Sequence, residues 1–404
     1  MRRASGTGSM PFCYTEAAFV TTVARAPMTI ATPRHANRRT ETPSLVVRSD
    51  ADGLSALEPE WRALAESDER ATIYQTWEWN EAWWRCFGRG KLLHLLEMRD
   101  GGTLVGVAPL YISRHLGTPI RRAAFLGTGV SDYLDLICAP GAGQATAQAA
   151  LAYLQREAPA DAADLQQLAP HAHCLEHAAG LQSLPQEPCP YVPLPTTVKE
   201  WLSSLGKKMR ENLRYSERLL HRSFTTVEFA LADSDNLHEC MEQLFTLHQK
   251  RWRARSLPGV LGGARVRAFH HLVARRFLDR GWLRLHILRL DGHTVSALYC
   301  FRYGPRTYYY LGGFDPTLAR YSLGTLLTAR AIQHAIEEGC AEFDFLRGNE
   351  PYKARWTSLC RTNSRVLVAR PGSMKSAAFL RLTRLERHIE HRAKQFAEHR
   401  GRRP

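Results

Sequence analysis

The chain has 404 residues, 44% of them hydrophobic and 23% charged, which is enough for two domains of ordinary size. Its formal charge of +15 is uneven: residues 1–40 hold six Arg and one Glu, and residues 371–404 hold nine Lys or Arg and three Glu, leaving +4 on residues 41–370. A near-balanced body argues against a dedicated nucleic-acid or membrane surface and suits an anionic cofactor or substrate as well as it suits RNA.

The nine cysteines are scattered and form no C-x-x-C. That pattern points to a reducing, cytoplasmic setting and against a zinc site or disulfide framework. No apolar run reaches the roughly 18 residues of a membrane span. Arg2 and Arg3 lead into no clean hydrophobic segment, so a signal peptide is not expected. Residues 1–40 read as a disordered extension, with Met10 and Met28 as alternative starts.

In chain order, KLLHLLEMRDGGTLVGVAPLYISR (91–114) predicts strand, Asp-Gly turn, strand, with Pro109 suggesting a bulge or an edge. RRAAFLGTG (121–129) and SDYLDLICAP (131–140) are further strand candidates, and 142–158 has helical spacing. DAADLQQLAP closes this unit as a strand. QSLPQEPCPYVPLPTT (182–197) holds five prolines and reads as an extended connector. Residues 199–223 predict one strongly basic helix, and 237–256 and 266–281 two more. WLRLHILRLDGHTVSALYCFRYGPRTYYYLGGFD (282–315) then repeats the strand-turn-strand-strand scheme. A helix over 322–340 ending at Gly339 follows, with strands at AEFDFLR and SRVLVAR (364–370). Both halves give β-turn-β-β-α-β with their Asp-Gly turns in register, which is most simply a duplicated α/β unit. The expected organisation is an N-terminal extension (1–40), a first domain (41–185), a second domain (186–370) and a basic C-terminal helix (371–404). The helix at 379–399 either lies on a partner or membrane surface, such as a polysaccharide synthase, or is a solvated helix.

The run from Gly312 and Gly313 through Arg320-Tyr-Ser322-Leu323-Gly324 to Thr325 links a strand to a helix N-terminus. Free amides at such a place bind phosphate. This order resembles the GNAT acetyltransferase fold, which binds acyl-CoA there through Arg/Gln-x-x-Gly-x-Gly/Ala. Here the first glycine comes one residue late and the second is absent. YQTWEWNEAWW (74–84), VGVAPLY, KKMRENLR, LHQKRW (247–252), GGFD, SLGTLL and FDFLRGNEPYKARW occur in an order similar to CelD/BcsL-like proteins, a GNAT group associated with cellulose and exopolysaccharide synthesis. More distantly the chain looks like the FemABX aminoacyltransferases, which also have two tandem GNAT-like domains. The resemblance covers about residues 44–370. It implies an α/β fold of two tandem GNAT-like domains with mixed central sheets. It also implies acyl transfer from acetyl-CoA or another acyl-CoA to an amino or hydroxyl group of a saccharide or cell-envelope precursor. No metal or DNA is expected, and tRNA only under a FemABX-like alternative. A non-catalytic module of polysaccharide synthesis is a further alternative.

Candidate residues follow. By the FemABX resemblance, Lys353 after Tyr352 contacts the acyl donor or developing charge; the alternative is a surface Lys beside a packed Tyr. Asp344 is either a base of raised pKa or a buried acid paired with Arg347. Glu350 is a second-choice base, and Arg347 and Gly348 an anion contact and a close-approach glycine. Arg210 and Arg214 lie on one helix face behind Lys207 and Lys208, and are either a substrate contact or a solvated basic face. His248 and Arg251 could line a cleft, His248 as base or as a satisfied, half-buried His. Trp77, Trp79, Trp83 and Trp84 form either a sugar-stacking wall or a helix face packed into the first domain. Asp132 and Asp135 either face the cleft or end a strand.

Overall fold

The computed structural model describes residues 43–253, 259 and 261–401; the expectation for residues 1–40 lies outside them. β1 (Ser44–Arg48) is followed by α1 (Ala51–Ala56), α2 (Glu58–Ser67) and α3 (Trp77–Phe87). β2 (Leu92–Asp100), β3 (Thr103–Arg114) and β4 (Arg121–Phe125) form an antiparallel meander. Then come β5 (Ile137–Cys138), α4 (Gly143–Arg156) and β6 (Ala162–Leu168). α4 supplies the crossover that sets β6 parallel to β4.

After α5 (His173–Glu176) and β7 (Gln182–Pro193) the plan recurs. α6 (Val198–Ser204), α7 (Lys207–Ser223), β8 (Val227–Leu231), α8 (Leu237–Arg253) and α9 (Ala264–Asp279) precede a second meander. That meander is β9 (Leu283–Leu290), β10 (His293–Tyr303) and β11 (Arg306–Phe314). α10 (Leu323–Glu337) crosses over to β12 (Glu342–Asp344), again parallel to the third meander strand. β13 (Cys360–Ala369) and α11 (Met374–Gly401) follow. α10 buries Leu323, Leu326, Leu327, Ile332 and Ile336 along one face and stops at Gly339, whose φ of 74° favours glycine. The basic helix expected over 199–223 is two helices, separated at Leu205-Gly206.

All strands join one mixed sheet in the order β1-β2-β3-β4-β6-β13-β7-β12-β11-β10-β9-β8, with β5 beside β3. The strand expected to finish the second unit, β13, pairs instead with β6 of the first half. The stretch read as a connector is strand β7, and its end pairs with β12 of the second half. The two halves therefore exchange their closing strands. Prolines fit β7 because of where their missing amides fall. The carbonyls of Pro188 and Pro190 accept from Gly348 N and Phe345 N, so at these two positions the neighbouring segment asks for acceptors only. Pro109 likewise sits inside the sheet rather than at an edge. β3 pairs with β5 before it and β4 after it, and the Pro109 carbonyl bonds Leu126 N in the gap between.

Candidate functional site

The site arises where β11 and β12 part. They pair only over Arg306–Tyr308 and Glu342–Asp344. Past this point Asp344 Oδ1 accepts the amide of Leu346 at 2.7 Å, and Leu346 takes a left-handed φ of 58°. The chain turns away there, so the strand expected over AEFDFLR is only three residues long. β11 runs on to Phe314, with a register shift against β10 between Tyr299 and Cys300 that leaves Tyr310 extra.

Two cavities occupy the opening. The first, about 290 Å³, lies between the end of β11 and the start of α10, against Ser322, Leu323, Gly324 and Thr325. The second, about 500 Å³, is bounded by Asp132, His248, His270, Tyr310, Arg347 and Lys353. Arg251, Tyr309, Gly312 and Tyr352 line both, so the cavities share a wall.

α10 starts at Ser322, whose φ of 54° is left-handed and whose carbonyl takes the amides of Thr325 and Leu326. The first-turn amides of Leu323 and Gly324 have no helix carbonyl within reach, and with the helix dipole they favour an anion. Gly312 lines both cavities. Gly313 lines the first cavity and also serves packing: a Cβ there would overlap the backbone of Leu247 and His248. Arg320 is turned onto the Tyr321 ring, 4.6 Å away, and does not line the first cavity.

Arg251 projects from α8 into the shared wall. Its guanidinium donates to Gly312 O at 3.2 Å and lies 5.3 Å from the Phe314 ring and 5.8 Å from the Tyr352 ring. Its buried Nε has no protein partner. On the far side of the second cavity, Arg347 Nε meets Asp132 Oδ1 at 2.7 Å. Asp132 is placed by Asn363 of β13, whose side-chain amide donates to the Asp132 carbonyl at 2.6 Å. Burial raises the pKa of the Asp132 carboxyl, against the opposing pull of Arg347.

Asp344 is fully buried and does not line either cavity. It accepts from Tyr133 OH at 2.7 Å and faces Arg361 at 3.8 Å. The pairing with Arg347 is thus replaced by one with Arg361, because Leu346 turns the chain between them. Burial pushes the Asp344 carboxyl up to about 6. Lys353 is a buried residue rather than a surface lysine. Its ammonium donates to Leu346 O at 3.1 Å and Arg347 O at 2.8 Å, and pairs with Glu350 at 2.9 Å. Three partners engage three donors, so Lys353 clamps the turn that presents Arg347. Gly348, at φ 118°, completes that turn.

His248 does not have the geometry of a base. Trp252 Nε1–H donates to its Nε2 at 2.8 Å, and burial lowers the imidazole to about 4. Trp77 lies in the core, where its Nε1 donates to Leu54 O, and it lines neither cavity; the sugar-stacking reading gives way to packing. Arg210 closes the end of α6 by donating to Ser203 O and Leu205 O. Arg214 is exposed on α7 and also lines neither cavity. His270 and Tyr310 are site residues that sequence reasoning missed: a His inside FHHLVARR and the last Tyr of YYY carry the same local signal as core residues.

Two parallel-closing meanders, a splayed strand pair and a helix N-terminus at the opening define a GNAT-type fold. Residues 207–354 match the family model described as an acetyltransferase (GNAT) domain. No curated protein matches the sequence significantly. Among solved structures, FemX is similar with a TM-score of 0.57 and 12% identity, over 77% of this chain and 96% of that one. L-PGS from Bacillus licheniformis is similar with a TM-score of 0.51 and 12% identity, over 83% and 97%. A C-terminal DUF2156 domain of a protein from Agrobacterium fabrum described as a "putative lysylphosphatidylglycerol synthetase" gives 0.50 and 14%, over 82% and 96%. At these identities the likeness is one of fold. Among the described residues no group of three or more His, Cys, Asp or Glu could hold a metal, and no helix is long and apolar enough to cross a membrane.

Proposed function

We propose that the protein is an acyltransferase that takes its acyl group from acyl-CoA in the first cavity and delivers it to an amino or hydroxyl acceptor in the second. The observation that carries this reading is the shared wall of Arg251, Tyr309, Gly312 and Tyr352 between two otherwise separate cavities. A donor and an acceptor entering from opposite sides would meet there. The first-turn amides of α10 and the Arg251 guanidinium suit the phosphate-rich donor. Asp132, across the second cavity from the shared wall, is the carboxylate we assign to take the proton from the attacking amine or hydroxyl. Its pKa is raised by burial, which makes it a better base near neutrality. The acceptor's nitrogen or oxygen bonds the acyl carbon, the carbon–sulfur bond breaks, and Asp132 receives the acceptor's proton. The CoA thiolate leaves and is protonated by solvent.

The acceptor class we propose is a saccharide or cell-envelope precursor, in line with the ordered motifs shared with CelD/BcsL-like proteins. Association with a polysaccharide synthase or membrane through the basic residues 371–404 belongs to the same reading. An aminoacyl-tRNA-dependent transfer is the second reading, favoured by the fold likeness to FemX. The test is release of CoA thiol from acetyl-CoA in the presence of amino sugars and their oligosaccharides. Acceptor-dependent release supports the proposal. Transfer from charged tRNA with no release from any acyl-CoA supports the second reading.

A further inference from the structure

His248 has two ring nitrogens with different fates. Nε2 accepts the indole N–H of Trp252, so it carries no proton. A neutral imidazole must then hold its proton on Nδ1. Nδ1 is buried and has no protein partner, although His248 as a whole is only 3% exposed. A buried donor without an acceptor is costly unless a ligand supplies one. Its position is also fixed. The His248 backbone packs against Gly313, next to Gly312 in the wall shared by the two cavities.

We infer that His248 is a fixed-tautomer hydrogen-bond donor whose Nδ1–H holds the carbonyl oxygen of the acyl group as it crosses from the first cavity to the second. This rests on the acyltransferase reading above. The charged and titratable surroundings favour a neutral ring. Arg251 lies on its own helix, His270 approaches from α9, and across the cavity Arg347 and Lys353 are already paired with Asp132 and Glu350. No carboxylate is left over to stabilise an imidazolium among these groups. The donor is therefore present across the neutral range, and Trp252 is the positioning residue that selects the tautomer.

The experiment reads the carbonyl itself. Infrared difference spectra of carbonyl-¹³C-labelled acetyl-CoA bound to the full chain report the strength of the hydrogen bond to its oxygen. The expected result is a bound stretch lower in frequency than in free acetyl-CoA. That lowering is lost in His248→Ala and kept in His248→Asn, whose amide N–H replaces Nδ1–H. The kcat of His248→Ala falls about 10²-fold, in the range of a lost oxyanion donor. Trp252→Phe provides a second variant if His248→Ala does not fold. It frees Nε2 to carry the ring proton in place of Nδ1, so both neutral tautomers are populated and the lowering of the bound stretch is reduced. Acetyl-CoA binding with the same carbonyl stretch in His248→Ala as in the wild type overturns this inference alone. Absence of acetyl-CoA binding to the wild type overturns the acyltransferase reading, and this inference with it.

Discussion

Arg347 and Asp132, far apart in sequence, meet at 2.7 Å on the wall of the second cavity. The contact joins the two halves of the chain at the site. Arg347 comes from the turn after β12, and Asp132 from the segment between β4 and β5. The Asp132 backbone is in turn held by Asn363 of the exchanged strand β13. The site is therefore complete only when both halves are present and interleaved.

If Asp132 is the base, Asp132→Asn keeps the shape and removes the proton acceptor. We expect kcat to fall by about 10²–10⁴-fold with little change in the affinity for acetyl-CoA. A base must be deprotonated to act. Its folded pKa is raised, so wild-type activity is lost on acidification through a value above the usual Asp range. That acid limb should be absent from the residual activity of Asp132→Asn.

Asp344 gives a stability signature distinct from catalysis. Its folded pKa, about 6, exceeds the usual Asp value, so the native state binds the proton more tightly than the unfolded chain. The stabilisation is fully present below about pH 4, the unfolded value, and is lost as pH rises through about 6. Two units correspond to about 2–3 kcal/mol. The difference in Tm between the wild type and Asp344→Asn should therefore move in favour of the variant from pH 4 to pH 6, and then level off. A difference that stays flat across this window would show that the carboxyl is not perturbed by burial.

Lys353 holds two carbonyls and one carboxylate from a buried position. Lys353→Ala leaves all three without it, at a cost of about 2–4 kcal/mol in urea unfolding. A purely catalytic lysine would lose activity with the unfolding midpoint unchanged.

Two glycines of the β11–α10 segment should separate. A Cβ on Gly313 overlaps the α8 backbone, so Gly313→Ala should lower stability by about 1–3 kcal/mol or displace α8. A Cβ on Gly324 meets only the Phe314 ring at 3.4 Å, and Gly324→Ala should fold with an unchanged Tm. Thermal melts of the pair decide this, and equal losses would contradict it.

The local plan was legible because it is written locally. Asp291-Gly292 between two apolar runs, and the α10 stripe ending at Gly339, specify hairpin and helix whatever surrounds them. Partner choice is not written that way. β13 has the same apolar pattern whether it pairs with β12 or β6, and only the whole sheet selects β6. Prolines in 182–197 looked like a break because sequence does not show which side of a strand lacks amide donors. At the site, Arg251, Asp132 and Arg347 were singled out from sequence, and the structure gathers them. The partner of Asp344 was misread because a left-handed Leu346 is invisible in FDFLRG. The two readings of His248, a base or a satisfied His, stayed open because nothing in LHQKRW shows that Trp252 takes one of its nitrogens.

The central claim is that an acyl-CoA enters at the start of α10 and ends against Arg251. Isothermal titration of acetyl-CoA into the full chain tests it most directly. Saturable one-to-one binding is the expected result, weakened at least about tenfold in Arg251→Ala, where the guanidinium of the shared wall is lost. No heat with acetyl-CoA in the wild type, together with binding of charged tRNA, would contradict it.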